Sequence, residues 1–504
     1  MLTIGKRRFK SAHVLQLIGG ILMVMLLSSI LAPLVVAPAS LLTRKWRLGA
    51  LVATGVLSVS CALLFYSTVQ AFSGRIQAEI YPVEPALALI ELQGDGFNLV
   101  FADTVALLGV VNALYSGEYM QRHSSPGLYF SLYLIYVSAM LGAVTSGSLM
   151  TFFLFFELML LPSTALIALW GTDKSRRAAL GYLLFNEVGA LFTTLGIAMV
   201  YDSYGVLSFD ALRVKLSSAS PLELLPIATL LCVGPLVKMA VVPLHVWLPD
   251  AHSEAPTPIS ALLSPAAIGI GGWALARILL YTMRQVPKSY GFRAALMLMG
   301  LVTAVYGGLC ALVQDDLKRL LAYSSVSQMG YMLMGIASAS EAGVVGAALL
   351  YVSHGFAKAS LFLTSGTLQH ELETRRISQM SGLAGAMPLL AVSALIAFLC
   401  LAGVPPVIGF WAELCIFAGI LTSALQASPV ALACTIAAIV AASTLTTAYS
   451  IWTFKRVFLG RPLKKSAHKR ISSLALAPLA LSCTAAVLGV YPAPLMQLAS
   501  SIMH

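Results

Sequence analysis

Charged residues are scarce in this chain. Of its 504 residues only 10% are Asp, Glu, Lys or Arg, whereas 59% are hydrophobic, and the mean hydropathy is +0.88. This composition excludes a water-facing globular protein, because too few polar side chains remain to cover its surface. Apolar stretches of about twenty residues, the length that crosses a bilayer, recur from Val14 to the region of Tyr491. The sequence therefore predicts an all-α, polytopic membrane protein with about fourteen transmembrane helices.

Paired cysteines and nucleotide-binding motifs are also missing. The seven cysteines stand singly, with no C-x-x-C pair, and nearly all lie within apolar runs. This spacing argues against iron–sulfur ligation and against a disulfide framework. The sequence contains no Rossmann glycine motif and no Walker loop either. We therefore expect no cofactor, no metal and no redox centre in this chain, and no electron transfer by the chain alone.

The excess of basic residues fits membrane topology better than nucleic-acid binding. The net charge is +11, but Lys and Arg lie in the short polar segments between apolar runs instead of along one face. With the N-terminus outside, eighteen of them fall on the inner side: Arg44, Lys45, Arg47, Arg122, Lys174, Arg176, Arg177, Lys318, Arg319, Arg375, Arg376, Lys455, Arg456, Arg461, Lys464, Lys465, Lys469 and Arg470. Ten fall on the outer side: Lys6, Arg7, Arg8, Lys10, Arg75, Arg213, Lys215, Arg284, Lys288 and Arg293. Because inner loops collect Lys and Arg, we predict that both termini lie outside and that the first apolar run is a retained helix.

Two apolar segments are interrupted by proline next to a charged residue. The first, near 235–249, contains Lys238, and the second, near 395–425, contains Glu413. Interrupted spans in corresponding positions indicate an inverted-repeat transporter whose ion site lies at the breaks. The predicted organisation is 1–96 for the first helices and an external loop, 97–126 for the third helix, 127–283 for the first repeat, 284–456 for the second repeat, and 457–504 for a basic inner loop and the last helix.

Five apolar stretches carry ionisable residues. These residues are Glu157, Glu187, Lys238, the pair His354 and Lys358 one helical turn apart, and Glu413. A charge near the bilayer centre costs about 2.5–3.5 kcal/mol on insertion scales, so such a group is usually paired, hydrated or functional. A static ion pair explains any one of them, but a set on five helices indicates a polar line across the protein. We predict a proton or cation path in which Glu157, by approaching or leaving Lys238, makes that lysine hold or release a proton.

Several other polar residues are interpreted as structural. Asp103 is predicted to be a polar group near a helix end, and Arg277 to reach the membrane surface from a helix end. Two further sets of polar residues are interpreted in the same way. One is a cluster after the first break (His245, Asp250, His252 and Glu254), and the other is a charged segment (Asp315, Asp316, Lys318 and Arg319). The spacing of the cluster fits no standard metal site, so loop capping is favoured, although His245 stays a further candidate for the path together with Glu187. The charged segment is interpreted as an inner loop.

Three strings of this sequence are specific: "FFELMLLP", "LVKMAVVPLHVWLPDAHSEAPTPISALL" and "LVQDDLKRLLAYSSVSQMGYMLMG". They closely resemble the antiporter-like subunits of respiratory complex I, a family shared with Mrp-type cation/proton antiporters and membrane-bound hydrogenases. The resemblance covers about 97–454 and implies two inverted five-helix repeats around a hydrophilic axis that moves protons. By position, Glu157 and Lys238 match the family's pair on the fifth and seventh helices, and His354 with Lys358 match its residues on the eleventh. Glu413 matches the broken twelfth helix of the M-type subunit, to which this chain is most similar.

One position departs from the family pattern. The family usually places Lys or His on the eighth helix, between the two halves, where this sequence has Ser264 and Gly269. Water or Lys358 could fill the gap; otherwise the link is broken and the subunit conducts poorly or has another role.

The resemblance implies a proton-translocating subunit of a redox-driven complex, such as NADH:quinone oxidoreductase or a membrane-bound hydrogenase. The implied location is a prokaryotic inner membrane. The implied partners are further antiporter-like membrane subunits, a peripheral redox module and lipid, with no nucleic acid. Two alternatives stay open: a sodium/proton antiporter subunit of the Mrp type, and a scaffold subunit that does not conduct.

Overall fold

The computed structural model describes residues 24–83, 88–424, 429–462 and 473–503. The helices are α1 Met25–Ser40, α2 Trp46–Phe72, α3 Gly96–Tyr119, α4 Pro126–Val144, α5 Leu149–Leu158, α6 Leu160–Trp170, α7 Ser175–Tyr204, α8 Phe209–Lys215, α9 Pro221–Lys238, α10 Trp247–Glu254, α11 Thr257–Leu262, α12 Ile270–Leu275, α13 Tyr290–Leu312, α14 Leu317–Ala337, α15 Glu341–Leu372, α16 Pro388–Leu401, α17 Ile408–Ala424, α18 Pro429–Phe458, α19 Leu476–Val490 and α20 Ala493–Ser500. Two strands, β1 Gln77–Val83 and β2 Ala88–Gly94, pair antiparallel. Two π-helical turns, Leu263–Ala267 and Ala276–Thr282, flank α12 and make 257–282 one interrupted helix.

Long apolar helices dominate the described residues. Eleven of them have the length and hydropathy to cross a membrane, and three shorter apolar helices have 10–17 residues. The chain is therefore an integral membrane protein, although eleven spans is fewer than the predicted number of about fourteen. The apolar stretches of segment 257–282 and of helix α15 are fully enclosed by the other helices. By contrast, most of the apolar surface of α2, α7 and α18 is exposed. The core is thus built around 257–282 and α15.

The β-hairpin was missed by the all-α prediction, which placed a loop there. Glu79 of β1 explains why the hairpin is ordered, because its two carboxylate oxygens accept hydrogen bonds from the backbone N–H groups of Leu26 and Leu27 at 2.8 and 2.9 Å. The first N–H groups of a helix have no partner within the helix, and at the start of α1 Glu79 supplies one. Strand β2 is tied to the bundle by the Gly147 N–H, which donates to the Glu91 carbonyl at 2.7 Å. We call this end of the molecule, formed by β1, β2 and the turns they contact, the hairpin face.

The opposite end of the bundle carries the basic turns, and we call it the basic face. It includes the turns around Arg122, Lys174, Lys318 and Arg375, and backbone hydrogen bonds join the last two of these turns. One of these bonds runs from the Leu317 N–H to the Arg375 carbonyl at 3.0 Å. Helix α4, with 19 residues, runs from the basic face to the hairpin face.

Two helices are interrupted next to a charged side chain. Helix α9 ends at Lys238, and the chain turns through Ala240, which has a φ of +52°, before α10 begins at Trp247. Helix α16 ends at Leu401, and α17 begins at Ile408 after Gly403, which has a φ of +63°. Glycine is required at position 403 for two reasons. The φ angle lies in the left-handed region, and a Cβ would overlap the Glu413 carboxylate. The two breaks therefore bring backbone turns beside Lys238 and Glu413.

Candidate functional site

Lys238, the last residue of α9, is enclosed and forms no direct ion pair among the described residues. Only 1% of the residue is exposed, and its ammonium group donates a hydrogen bond to the Tyr182 hydroxyl at 2.9 Å. The same hydroxyl lies 2.8 Å from the Ser163 hydroxyl, so Tyr182 links the lysine to α6. The ammonium group also lies 5.5 Å from the centre of the Phe156 ring. Within the described residues no carboxylate comes within 4.0 Å of it, so the groups in direct contact with the ammonium are neutral.

The two predicted glutamates near Lys238 are less enclosed than the lysine. Glu157 is half-buried and lies close enough to Lys238 and Glu187 for their charges to act on it. Glu187, on α7, is exposed on the surface of the isolated chain. The structure therefore brings Glu157, Glu187 and Lys238 together as one group, which we call the first charged cluster. Glu187 therefore lies on the outer surface of the isolated chain and stays a further candidate for the path.

His354 and Lys358 are both completely buried on α15. The ammonium group of Lys358 donates to the Leu321 carbonyl at 3.0 Å and to the Ser324 hydroxyl, both on α14. Neither ring nitrogen of His354 has a hydrogen-bond partner among the described residues. These two side chains therefore form a buried basic pair without a counter-charge.

Two further basic residues lie near this pair, and both were interpreted as structural from the sequence. His252 of α10 is 0% exposed, has no hydrogen-bond partner for either ring nitrogen in the described part of the chain, and feels the charges of Lys318 and Lys358. Lys318, in the first turn of α14, is 2% exposed and donates to the Ala255 carbonyl at 2.5 Å. The loop interpretation of both residues was wrong, because the start of α14 packs against the end of α10. We call His252, Lys318, His354 and Lys358 the second charged cluster.

Glu413 lies apart from both clusters. It is 6% exposed, and its closest polar contact is the Ser443 hydroxyl at 3.5 Å. The thiol of Cys400 lies 3.8 Å from the carbonyl of Ser353, the residue before His354, and Cys400 is close enough to Glu413 to feel its charge. Cys400 therefore contacts the helix of the second charged cluster on the side of Glu413.

The remaining candidates are outside these groups. His245 lies in the first break, where the centre of its ring is 4.8 Å from that of the Tyr306 ring on α13. Asp103 accepts a hydrogen bond from the Thr68 hydroxyl at 2.7 Å, and Ser264 pairs with the Ser325 hydroxyl at 2.7 Å. In the parts of the chain with described coordinates, no group of three or more His, Cys, Asp and Glu side chains could hold a metal ion.

Arg277 is another buried cation, and unlike the buried lysines it has a carboxylate in direct contact. It is 0% exposed, which contradicts the prediction that it reaches the membrane surface. Its guanidinium forms an ion pair with Asp95 and donates to the Asn98 side-chain carbonyl from Nε at 3.1 Å and from Nη2 at 2.7 Å. The Trp273 indole donates to the same oxygen at 2.8 Å. This ion pair joins segment 257–282 to the start of α3 beneath the hairpin face.

A cavity of about 250 Å³ opens at the basic face beside Lys318. Its walls include Tyr119, His123, Glu254, Lys318 and Arg375. Arg375 is held there by Asp316 at 3.1 Å and by the Ser253 carbonyl at 2.7 Å. The cavity therefore connects the surface of the basic face with the second charged cluster.

Asp315 lies at the rim of the same face, outside the spans. Partial burial acts to raise the pKa of its carboxyl, but two hydrogen bonds from Ser378, at 2.9 and 2.6 Å, and the charge of Arg456 outweigh it. The pKa of Asp315 consequently lies below its usual value.

Comparison with known proteins identifies relatives for most of the chain. Residues 146–454 match the family described as "NADH:quinone oxidoreductase/Mrp antiporter, TM". A relative from Nostoc sp., "NAD(P)H-quinone oxidoreductase chain 4 1", is 36% identical over 362 residues, which are 70% of this chain and 65% of the relative's own length. A relative of the same description from Synechococcus elongatus is 34% identical over 411 residues, covering 79% of this chain and 74% of its own.

Solved structures share the fold at lower identity. A chain of the Mrp complex from Dietzia sp. superposes with a TM-score of 0.86 at 23% identity, covering 96% of this chain and 97% of its own. A chain of an archaeal membrane-bound sulfane sulfur reductase superposes with a TM-score of 0.83 at 24% identity, covering 96% of this chain and 97% of its own. A chain of respiratory complex I from Thermus thermophilus superposes with a TM-score of 0.81 at 24% identity, covering 95% of this chain and 100% of its own. These three are multi-subunit membrane complexes.

Proposed function

Because this chain belongs to the NADH:quinone oxidoreductase/Mrp antiporter family of membrane subunits, we propose that it moves protons across the membrane as a subunit of a redox-driven respiratory complex. The relatives' descriptions as NAD(P)H-quinone oxidoreductase chains support the redox partner. The chain would supply the proton path, and a peripheral redox module together with other membrane subunits would supply the drive.

The observation that carries the proposal is the set of buried ionisable side chains that have no ion-pair partner in direct contact among the described residues. Lys238, His354, Lys358 and Glu413 are each at most 6% exposed. A buried charge with no partner is costly, so a protein retains such groups chiefly where they are useful. Each of these groups can exist in a charged and an uncharged form, and the neutral form removes most of the cost. A set of such groups therefore suits proton exchange better than it suits packing.

Glu157 gives the first charged cluster a means of control. Its approach to Lys238 would favour the protonated amine, and its withdrawal would favour release of the proton to a neighbouring group. Tyr182 holds the lysine at 2.9 Å meanwhile and leaves its charge uncompensated. Moving one carboxylate would thus switch Lys238 between holding and losing a proton.

The cavity beside Lys318 supports an entrance from the basic face. Its volume of about 250 Å³ and polar walls suit several water molecules. Protons would reach Lys318 from this water and pass on to His252 and Lys358. With the predicted orientation, in which both termini lie outside, the basic face is the inner side.

The exposed carboxylate of Glu187 supports a membrane partner on the α7 face. A charged side chain facing lipid in a span costs about 2.5–3.5 kcal/mol on insertion scales. A neighbouring membrane subunit that covers α7 with a basic or polar side chain would remove this cost. Lipid would then contact the outer faces of α2 and α18.

The finer topology is proposed on the same basis. We add three spans to the eleven: α1, α14, and the pair α16 and α17 counted as one interrupted helix. The result is the predicted fourteen, with two inverted five-helix repeats whose broken helices are α9–α10 and α16–α17.

The test is proton uptake into vesicles that hold the purified complex. Wild type is compared with Lys238→Ala and Glu157→Gln at equal assembly, with and without sodium. Lys174→Ala, an exposed lysine of the basic face, is the control. We expect both path variants to lose uptake whether or not sodium is present, and Lys174→Ala to keep it.

Unchanged uptake in Lys238→Ala and Glu157→Gln would reject the proton path and favour the scaffold alternative. Uptake that requires sodium in wild type would favour the sodium/proton antiporter alternative instead.

A further inference from the structure

Tyr351 packs into the middle of segment 257–282. The residue is completely buried on α15, and its hydroxyl donates to the Ala266 carbonyl at 3.2 Å. Its ring stacks on Phe101 of α3 with centroids 4.2 Å apart. Ala266 belongs to the π-helical turn Leu263–Ala267, so Tyr351 is fixed against an irregular part of the helix.

The Tyr351 ring fills the place that a side chain at position 269 would need. A Cβ added to Gly269 would overlap two carbon atoms of that ring. Ser264, one turn earlier on the same segment, is already paired with Ser325 at 2.7 Å. The middle of segment 257–282 therefore offers no ionisable side chain, and the enclosed phenol ring occupies the space between this segment and α15.

Helix α10 joins the two charged clusters on the side of the basic face. The Trp247 ring, at its start, lies 5.1 Å from the ring of Tyr182, the residue that holds Lys238. His252, near its end, is close enough to Lys358 and Lys318 for their charges to act on it. The Ser260 hydroxyl donates to the His252 carbonyl at 2.8 Å and fixes this end of α10 to α11.

The chemistry of His252 suits a transfer step. A neutral imidazole donates at one ring nitrogen and accepts at the other, so it can take a proton on one side and give one on the other. Both ring nitrogens of His252 lack a partner among the described residues, so no hydrogen bond there holds the ring in one tautomer. Among the members of the second charged cluster, His252 is the one carried by the broken helix that also carries Lys238.

We propose that protons cross between the two halves of the chain through His252, along α10, and that the Tyr351 ring closes the middle of segment 257–282 to them. This inference rests on the proposed proton movement, and it specifies the route. The spacing along α15 supports it, because Tyr351, His354 and Lys358 follow one another at three- and four-residue intervals and so share one helix face. The phenol ring and the two basic groups therefore stand in one row, with the ring beside Gly269.

The experiment measures protons taken up per electron transferred by the whole purified complex in vesicles. The variants are His252→Gln and Tyr351→Phe, with Lys238→Ala as the reference for a lost path. The ratio is chosen because structural damage lowers electron transfer and proton uptake together, whereas loss of a relay lowers the ratio. In His252→Gln we expect the ratio of protons to electrons to fall to that of Lys238→Ala. In Tyr351→Phe we expect the wild-type ratio, because the ring and not its hydroxyl closes the segment.

Two results would overturn the inference while leaving the proposed function in place. One is a wild-type ratio in His252→Gln together with a lowered ratio in Lys238→Ala. The other is a ratio in Tyr351→Phe as low as that of Lys238→Ala, which would put the phenol hydroxyl on the route. A wild-type ratio in Lys238→Ala as well would reject the proposed function itself.

Discussion

Two regions of this bundle bury a cation in opposite ways. Beneath the hairpin face Arg277 is completely enclosed and meets Asp95 and the Asn98 carbonyl. Toward the basic face Lys358 is equally enclosed, but among the described residues its amine meets only the Leu321 carbonyl and the Ser324 hydroxyl. One cation has a carboxylate beside it, and the other has neutral oxygens.

The difference separates a structural charge from one that can be exchanged. A guanidinium stays protonated in proteins, so burying it requires a permanent partner. An amine can lose its proton when it is buried, so neutral acceptors suffice for both of its forms. We therefore propose that burial together with neutral partners, and not burial alone, distinguishes the proton carriers of this protein.

Breaking the Arg277 pair should give the largest effect on stability. Arg277→Met leaves Asp95 as an unpaired buried charge, and we expect a loss of about 3–5 kcal/mol in the free energy of unfolding. The double variant Arg277→Met/Asp95→Asn should recover much of this loss, because Asn is neutral and still caps α3 through the Asn98 N–H. The measurement is the thermal unfolding midpoint and yield of the complex. Lys358→Met is the matched comparison, and its loss in the free energy of unfolding should be smaller. An equal loss would contradict the distinction between a paired Arg277 and a Lys358 with neutral partners.

Removing a neutral partner should slow proton movement without loss of assembly. Tyr182→Phe deletes the hydroxyl that holds the Lys238 ammonium group at 2.9 Å. We expect the initial rate of proton uptake to fall by about 5- to 10-fold, the equivalent of one typical hydrogen bond. Tyr136→Phe is the control, because the Tyr136 hydroxyl is buried and has no partner among the described residues. Equal rates in Tyr182→Phe and Tyr136→Phe would contradict the role given to Tyr182.

The exposed ion pairs of the basic face should contribute least. Asp315 is 46% exposed, so we expect Asp315→Asn to lower the free energy of unfolding by less than about 1 kcal/mol. Its pKa is lowered in the folded protein, so its contribution is complete above the unfolded pKa of about 3.9 and is lost as pH falls through the folded value. The difference between wild type and Asp315→Asn should therefore be the same at about pH 7 and about pH 5. Thermal unfolding at both pH values measures it, and a difference that disappears by about pH 5 would be inconsistent with the lowered pKa.

Features that depend directly on local composition or on the position of proline were predictable from the sequence. Apolar runs gave the membrane helices, and the prolines beside Lys238 and Glu413 gave the positions where α9 and α16 end. The hairpin was not predicted, because β1 and β2 are stabilised by their pairing and by Glu79 at the start of α1. Such contacts join residues far apart in the sequence and leave no local pattern.

The site was predictable in part for the same reason. Residues inside apolar runs were recognised, but Lys318 stands among other charges and resembled a loop residue. One local signal was available: Asp316 caps α14 by accepting from the Arg319 N–H at 3.1 Å, and a capping residue before an apolar run predicts a helix start. The burial of His252 and the exposure of Glu187 could not be predicted, because both depend on which helices pack against α10 and α7.

We propose that Lys358, a buried lysine with neutral partners, carries protons, and Lys358→Arg tests this proposal most directly. The substitution keeps a positive charge and hydrogen-bond donors at the position but removes the ability to release a proton. Proton uptake into vesicles is compared at equal assembly with wild type and with Lys174→Arg, an exposed control. We predict that Lys358→Arg loses uptake while Lys174→Arg keeps it. Uptake at the wild-type rate in Lys358→Arg would contradict the claim, because a fixed charge at this position would then be sufficient.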